Sequence, residues 1–126
     1  MRKAVISGHS RGLGYALAEH YLRAGWAVFG LARGRVDLRP SENLFQAELD
    51  LSDAVLLAQK LSDGLLADFI RDADELLLIN NAGTTAPNAL LGRQRPSEIV
   101  RAVALNVTAP LLLSDYLLSV RPDGGH

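Results

Sequence analysis

Ser7-Gly8-His9-Ser10-Arg11-Gly12-Leu13-Gly14 is the stretch on which the fold turns. It follows a short apolar run, residues 3–7, that reads as a buried strand. It leads into a segment where Leu13, Leu17 and Tyr21 recur four apart, Ala16, Ala18 and Ala24 fill the gaps and Gly25 supplies a stop, the pattern of an amphipathic helix. Glycine at 8 permits a sharp turn off the strand, glycine at 12 lets the backbone approach an anion with no Cβ between them, and glycine at 14 opens the helix. The helix start then presents free N–H donors and the positive end of its dipole. Three glycines at a strand end also fit a merely flexible turn, but the strand before and the helix after favour a phosphate-binding turn.

Working outward, residues 27–32 read as a second strand, 33–43 as a surface connection and 44–49 as a third strand. Val55, Leu56, Ala58, Leu61, Leu65 and Leu66 predict one helix over 53–71, with Ser52 as its N-cap. Leu76-Leu77-Leu78-Ile79 is a fourth strand, apolar on both faces as in the middle of a parallel sheet. A polar loop over 80–96 precedes a last helix over 97–120, in which Pro110 is expected to produce a kink or a local departure from regular bonding. The tail, 121–126, is turn chemistry. Alternating strands and helices predict one domain over 1–126, a doubly wound α/β sheet of order 3-2-1-4. The fourth strand has no neighbour to pair with on its far side.

With 126 residues, 48% apolar, the chain is long enough to bury a core. It contains no cysteine, which excludes thiolate metal sites, thiol nucleophiles and disulfides. His9, His20 and His126 lie too far apart to suggest a local metal motif, and no metal site is expected. Thirteen cations against 14 acids give a net charge of −1 with no basic run, so nucleic acid is an unsuitable partner. No signal peptide and no apolar run near 18 residues is evident, so the expectation is a cytoplasmic protein with no membrane partner.

The glycine turn is neither the GxGxxG of long-chain dehydrogenases nor a P-loop. It resembles the TGxxxGxG of the short-chain dehydrogenase/reductase family, with Ser7 in place of Thr. Three more features match that family in order: Asp50-Leu51 after the third strand, Asn80-Asn81-Ala82-Gly83 after the fourth, and Leu105-Asn106-Val107-Thr108 in the last helix. The resemblance implies a Rossmann-type sheet whose dinucleotide site comprises Gly8, Ser10, Arg11, Gly12, Leu13, Gly14, Arg33, Asp50, Leu51, Asn81, Ala82 and Gly83. It implies one catalytic-site position, Asn106, whose backbone carbonyl would hold a water of a proton relay. Each motif also has a plainer use: the asparagines as strand terminators, Asp50 as a helix-entry residue, Asn106 as a locally bonded helix residue. Pro110, four residues beyond Asn106, removes the donor that would otherwise occupy that carbonyl.

NAD-selective members of such folds place an acid at the end of the second strand, against the ribose 2′-OH. Here that strand ends Gly30-Leu31-Ala32-Arg33, with no acid before Asp37, and Arg11 is a second nearby cation. The expectation is NADP(H) over NAD(H). The family's YxxxK pair is absent: Tyr15, Tyr21 and Tyr116 are followed four positions on by Glu19, Gly25 and Val120, and Lys3 and Lys60 are the only lysines. The chain therefore resembles the N-terminal, cofactor-binding half of the family, ending before the catalytic half, and is expected to bind a dinucleotide without turning over a carbonyl or alcohol. The open fourth strand and the apolar set Ile99, Val103, Leu111, Leu112 and Leu117 predict a homo-oligomer. Three functions stay open: part of an NADP-dependent oxidoreductase, a non-catalytic NADP(H)-binding or sensor module that associates with itself or another chain, or an interaction domain without nucleotide.

Overall fold

A computed structural model describes residues 1–84 and 89–121. Strand β1 (Arg2–Ser7) is followed by α1 (Gly12–Arg23), β2 (Ala27–Ala32), a 3₁₀ turn (Ser41–Asn43), β3 (Leu44–Glu48), α2 (Ala54–Ser62), α3 (Ala67–Ile70) and β4 (Glu75–Asn80). The last helical run comprises α4 (Pro96–Val103), a π-helical turn (Ala104–Thr108) and α5 (Ala109–Val120). The tail beyond Arg121 and residues 85–88 of the polar loop lie outside the described residues.

The strands form one parallel sheet in the expected order, β3-β2-β1-β4. β1 is central, with Ser7 opposite both Leu31 and Asn80. Every strand therefore ends at the same edge, and the segments leaving β1, β2, β3 and β4 meet there. Successive side chains alternate between faces. Ala4, Ile6 and Val28 join Ala18 and Leu22 of α1 in one core layer. Val5, Phe29 and Leu31 face the other, with Leu57 and Leu61 of α2, Phe69 of α3, and Leu113 and Leu117 of α5. β4 is an edge strand, its Leu76–Ile79 half-buried.

The single helix expected over 53–71 is two. Gly64 has φ +96°, its N–H bonds Leu61 O (3.2 Å), and Leu65 N–H bonds Lys60 O (3.0 Å). That is the double bond of a glycine-terminated helix end. Gly25 ends α1 the same way, with Gly25 N–H to Leu22 O and Trp26 N–H to Tyr21 O. The N-cap of α2 is Asp53, whose Oδ1 accepts from Leu56 N–H (3.1 Å), and not Ser52, whose hydroxyl is engaged by Asp50.

Pro110 marks the expected irregularity, which takes the form of the π turn: Ala109 N–H reaches back five residues to Ala104 O. Of the apolar set from which a homo-oligomer is expected, Leu117 is instead a core residue and Leu112 packs half-buried against the core, while Ile99, Val103 and Leu111 are exposed. The run Pro96–Val120 is long and apolar enough to cross a membrane by length and composition, which corrects the expectation that no stretch is. Here its Ala104, Ala109, Leu113 and Leu117 are buried within the fold.

Leu113 is fully buried between α2 and the sheet. Leu113→Ala should lower unfolding stability by about 2–5 kcal/mol in urea titration, and a loss below about 1 kcal/mol would contradict this packing.

Candidate functional site: a cleft at the strand ends

A cleft of about 530 Å³ opens where the strands end. The glycine turn contributes Gly8, Ser10, Arg11 and Gly12; the end of β2, Ala32 and Arg33; the segment after β3, Leu49, Asp50 and Leu51; and the loop after β4, Asn81, Ala82 and Gly83. Arg101 and Leu105 close it from the last helix. The structure thus brings together all the positions singled out for a dinucleotide except Leu13, which points to solvent, and Gly14, which lies behind the turn.

Backbone geometry explains the glycines. Gly8 and Gly12 have φ +74° and +59°, in the left-handed region that residues with a Cβ disfavour. A Cβ on Gly14 would lie 1.9 Å from Gly8 O, so this glycine is required by the contact between the start of α1 and the end of β1. The Arg11 N-cap makes no side-chain cap bond, which leaves the leading N–H groups of α1 free to meet an anion.

The loop after β4 is tied to β1. Ser7 Oγ accepts from the N–H groups of Asn81 and Ala82, each at 3.0 Å, and Asn81 Nδ2 donates to Gly8 O (3.0 Å). Asn106 acts one step further out. Its Oδ1 accepts from Thr84 N–H (2.8 Å) and its Nδ2 donates to Thr84 O (2.7 Å), a two-point clamp on the same loop. Its side chain is not part of the cleft wall.

Asp50 is the structured acid of the site. Its Oδ1 accepts from Ser52 N–H (2.9 Å) and Ser52 Oγ (2.6 Å), and its Oδ2 from Arg101 Nη1 (3.1 Å). The Ser52 hydroxyl above all, then the Ser52 N–H and the Arg101 guanidinium, outweigh partial burial and hold the carboxyl at about 2. Among the described residues, neither Arg11 nor Arg33 has an ion-pair partner, so the cleft carries uncompensated positive charge. Also among them, no three acidic, His or Cys side chains are grouped to hold a metal. Arg101 escapes sequence reading because its bond to Asp50 spans 51 residues and no local pattern encodes it, and Leu105, beside Asn106 in its motif, is not among the residues expected in the cleft.

A parallel β3-β2-β1-β4 sheet flanked by helices, with a glycine turn feeding a helix, defines a Rossmann-like α/β protein. The model of the short chain dehydrogenase family matches residues 2–124, and the chain belongs to that family. It is 36% identical over 115 residues to a benzil reductase ((S)-benzoin forming) of Bacillus subtilis (strain 168), covering 90% of this chain and 46% of that protein. A short-chain dehydrogenase/reductase from Burkholderia vietnamiensis superposes with TM-score 0.87 at 43% identity, over 93% of this chain and 56% of that one. A metagenomic short-chain oxidoreductase in complex with NADP does so with TM-score 0.78 at 30% identity, over 95% of this chain and 55% of that one. The chain spans about half the length of the curated relatives it matches. Nicotinamide dinucleotides are the family's cofactors, and solved structures of this fold include complexes with NADP and with NADH.

Because the Asp50 carboxyl has a lower pKa folded (about 2) than its ordinary value, its stabilisation is complete above about pH 4 and is lost as pH falls towards 2. Asp50→Asn should flatten the fall of Tm between pH 4 and 2 relative to the wild type, and superimposable profiles would refute the Asp50–Ser52–Arg101 arrangement.

Proposed function

We propose that this chain binds a nicotinamide dinucleotide in the cleft, NADP(H) in preference to NAD(H), and represents the cofactor-binding half of a reductase acting on a carbonyl or alcohol. The observation that carries the preference is the pair of guanidinium groups, Arg11 and Arg33, unpartnered among the described residues, on a cleft where no carboxylate stands at the end of β2. Asp37, the first acid after that strand, pairs with Arg39 (3.6 Å) and is no part of the cleft wall. A cleft of about 530 Å³ suits a ligand of this class.

The residues present fit the cofactor. The free N–H groups of α1 and the turn through Gly8 and Gly12 would take the pyrophosphate, since both present backbone donors. Arg33 and Arg11 would pair with a 2′-phosphate by charge-assisted bonds that a 2′-OH cannot match. The bound dinucleotide would supply the hydride. What the chain supplies is orientation: the Ser7, Asn81 and Asn106 bonds hold the loop after β4 along the cleft. A relative named for reducing benzil supports a carbonyl as substrate class for the complete protein. The 126 residues contain no YxxxK, so binding without turnover is expected of them.

Arg33→Ala should weaken NADPH binding by about tenfold to a hundredfold and leave NADH within about threefold, measured by calorimetry. Equal wild-type affinity for the two cofactors would sink the preference. Oxidation of NADPH with a panel of aldehydes and ketones by the mass-verified chain would overturn the absence of turnover.

A second reading, a non-catalytic NADP(H)-binding or sensor module that associates with itself, is favoured by Val100, Val103, Val107, Leu111 and Leu118, all exposed along the last helical run, and by the open edge of β4. Analytical ultracentrifugation at high concentration should then show a dimer or larger species. A clean monomer would count against it.

A further inference from the structure

We propose that His9 and Gln46 are positioning residues that set the path of residues 33–36 and thereby aim Arg33 into the cleft; the proposal rests on the cofactor preference argued above. His9 belongs to the glycine turn, yet it is fully buried and is absent from the cleft wall. Its imidazole occupies the place of a side chain at Gly30, where a Cβ would come within 2.3–2.4 Å of the ring atoms. The glycine inside β2 and the histidine in the turn are thus a matched pair, and they anchor the chain just before Arg33.

The other anchor lies just after it. Gln46, in β3, bonds the backbone of Val36 in both directions: Val36 N–H donates to Oε1 (2.9 Å) and Nε2 donates to Val36 O (3.0 Å). His9 Nε2 stands 2.7 Å from the same Oε1. An amide oxygen only accepts, so Nε2 carries the imidazole proton and Nδ1, which has no hydrogen-bond partner among the described residues, carries the lone pair. Burial above all, with a smaller push from Arg35, lowers the His9 pKa below the ordinary imidazole value, and the Gln46 bond opposes it.

Between the anchors, Arg35 is used up by Glu48, Nε to Oε1 at 2.9 Å. Arg33 has no such partner among the described residues and lines the cleft. Two guanidinium groups two residues apart are therefore sorted, one to a structural pair and one to the site. What sorts them is the path imposed by His9 on Gly30 and Gln46 on Val36. Neither side chain lines the cleft; Gln46 reaches it through Val36 and the segment that carries Arg33, and His9 both through Gly30 and through its neighbours Gly8 and Ser10, two routes that the NAD⁺ affinity separates.

The test compares Kd for NADP⁺ and NAD⁺ by calorimetry in the wild type, Gln46→Leu, His9→Phe and His9→Gln, with Tm recorded for each. Gln46→Leu and His9→Phe should each cut the NADP⁺ preference by about tenfold, with NAD⁺ affinity kept within about threefold. His9→Gln keeps an N–H donor and should retain the preference within about threefold. A wild-type preference that survives in both Gln46→Leu and His9→Phe would overturn the proposal, as would equal weakening of both cofactors, the mark of a merely structural role. Should Gln46→Leu fail to fold, His9→Phe decides alone. A wild type with no preference would refute the cofactor reading itself, and the proposal with it.

Discussion

Among the described glycines the tightest constraint is the approach of the start of α1 to the end of β1, where a single Cβ on Gly14 would meet the Gly8 carbonyl at 1.9 Å and Asn81 Nδ2 at 2.5 Å. Four segments converge on that point. Gly8 N–H bonds Leu31 O at the end of β2 (2.8 Å). Gly8 O accepts from Asn81 after β4, and Ser7 Oγ takes two N–H groups of the same loop. Serine in place of threonine keeps the oxygen that makes these bonds. Side-chain volume is excluded from the centre, so the floor of the cleft is backbone, and backbone donors are what an anion at a helix start requires.

Much of this is legible in the sequence because it is local. The glycine turn, the four strands and their order rest on patterns within a few residues, joined by the handedness of parallel crossovers. Gly25 reads as a helix stop and is one. Gly64 ends α2 by the same pair of bonds, but the apolar spacing continues through it into Leu65 and Leu66, and that periodicity masks the glycine. The cleft is legible in its turn, in Asp50 and in the loop after β4. It is not legible in Arg101, which reaches Asp50 across the fold, or in the burial of His9, which depends on a glycine 21 positions later. Leu13 sits in the motif but turns its side chain outward to solvent.

The π turn reconciles two demands on the last helical run. Its buried positions are Ala104, Ala109, Leu113 and Leu117: one step of five residues, then two of four. The five-residue step falls on the turn itself, where Ala109 N–H bonds Ala104 O. An inserted residue rotates the remainder of the helix by about 100°, so Arg101 and Leu105 face the cleft while Leu113 and Leu117 still meet the sheet. Pro110, with no N–H, withdraws the donor that a regular helix would offer the Asn106 carbonyl, and the Asn106 side chain spends both its polar groups on Thr84.

The shortage of lysine separates two kinds of cation chemistry. Of the 13 basic residues 11 are arginines, and the three that line the cleft are all of this kind. A guanidinium keeps its charge at any physiological pH and presents a planar fork of donors, which suits holding a phosphate. An ammonium is the group whose pKa a site can tune, and the family's proton transfer uses one beside a tyrosine. Holding and proton transfer therefore draw on different residue types at different places in the sequence. A cleft shaped by Gly8, Gly12, Arg33 and Asp50 has the features of the first without containing the second.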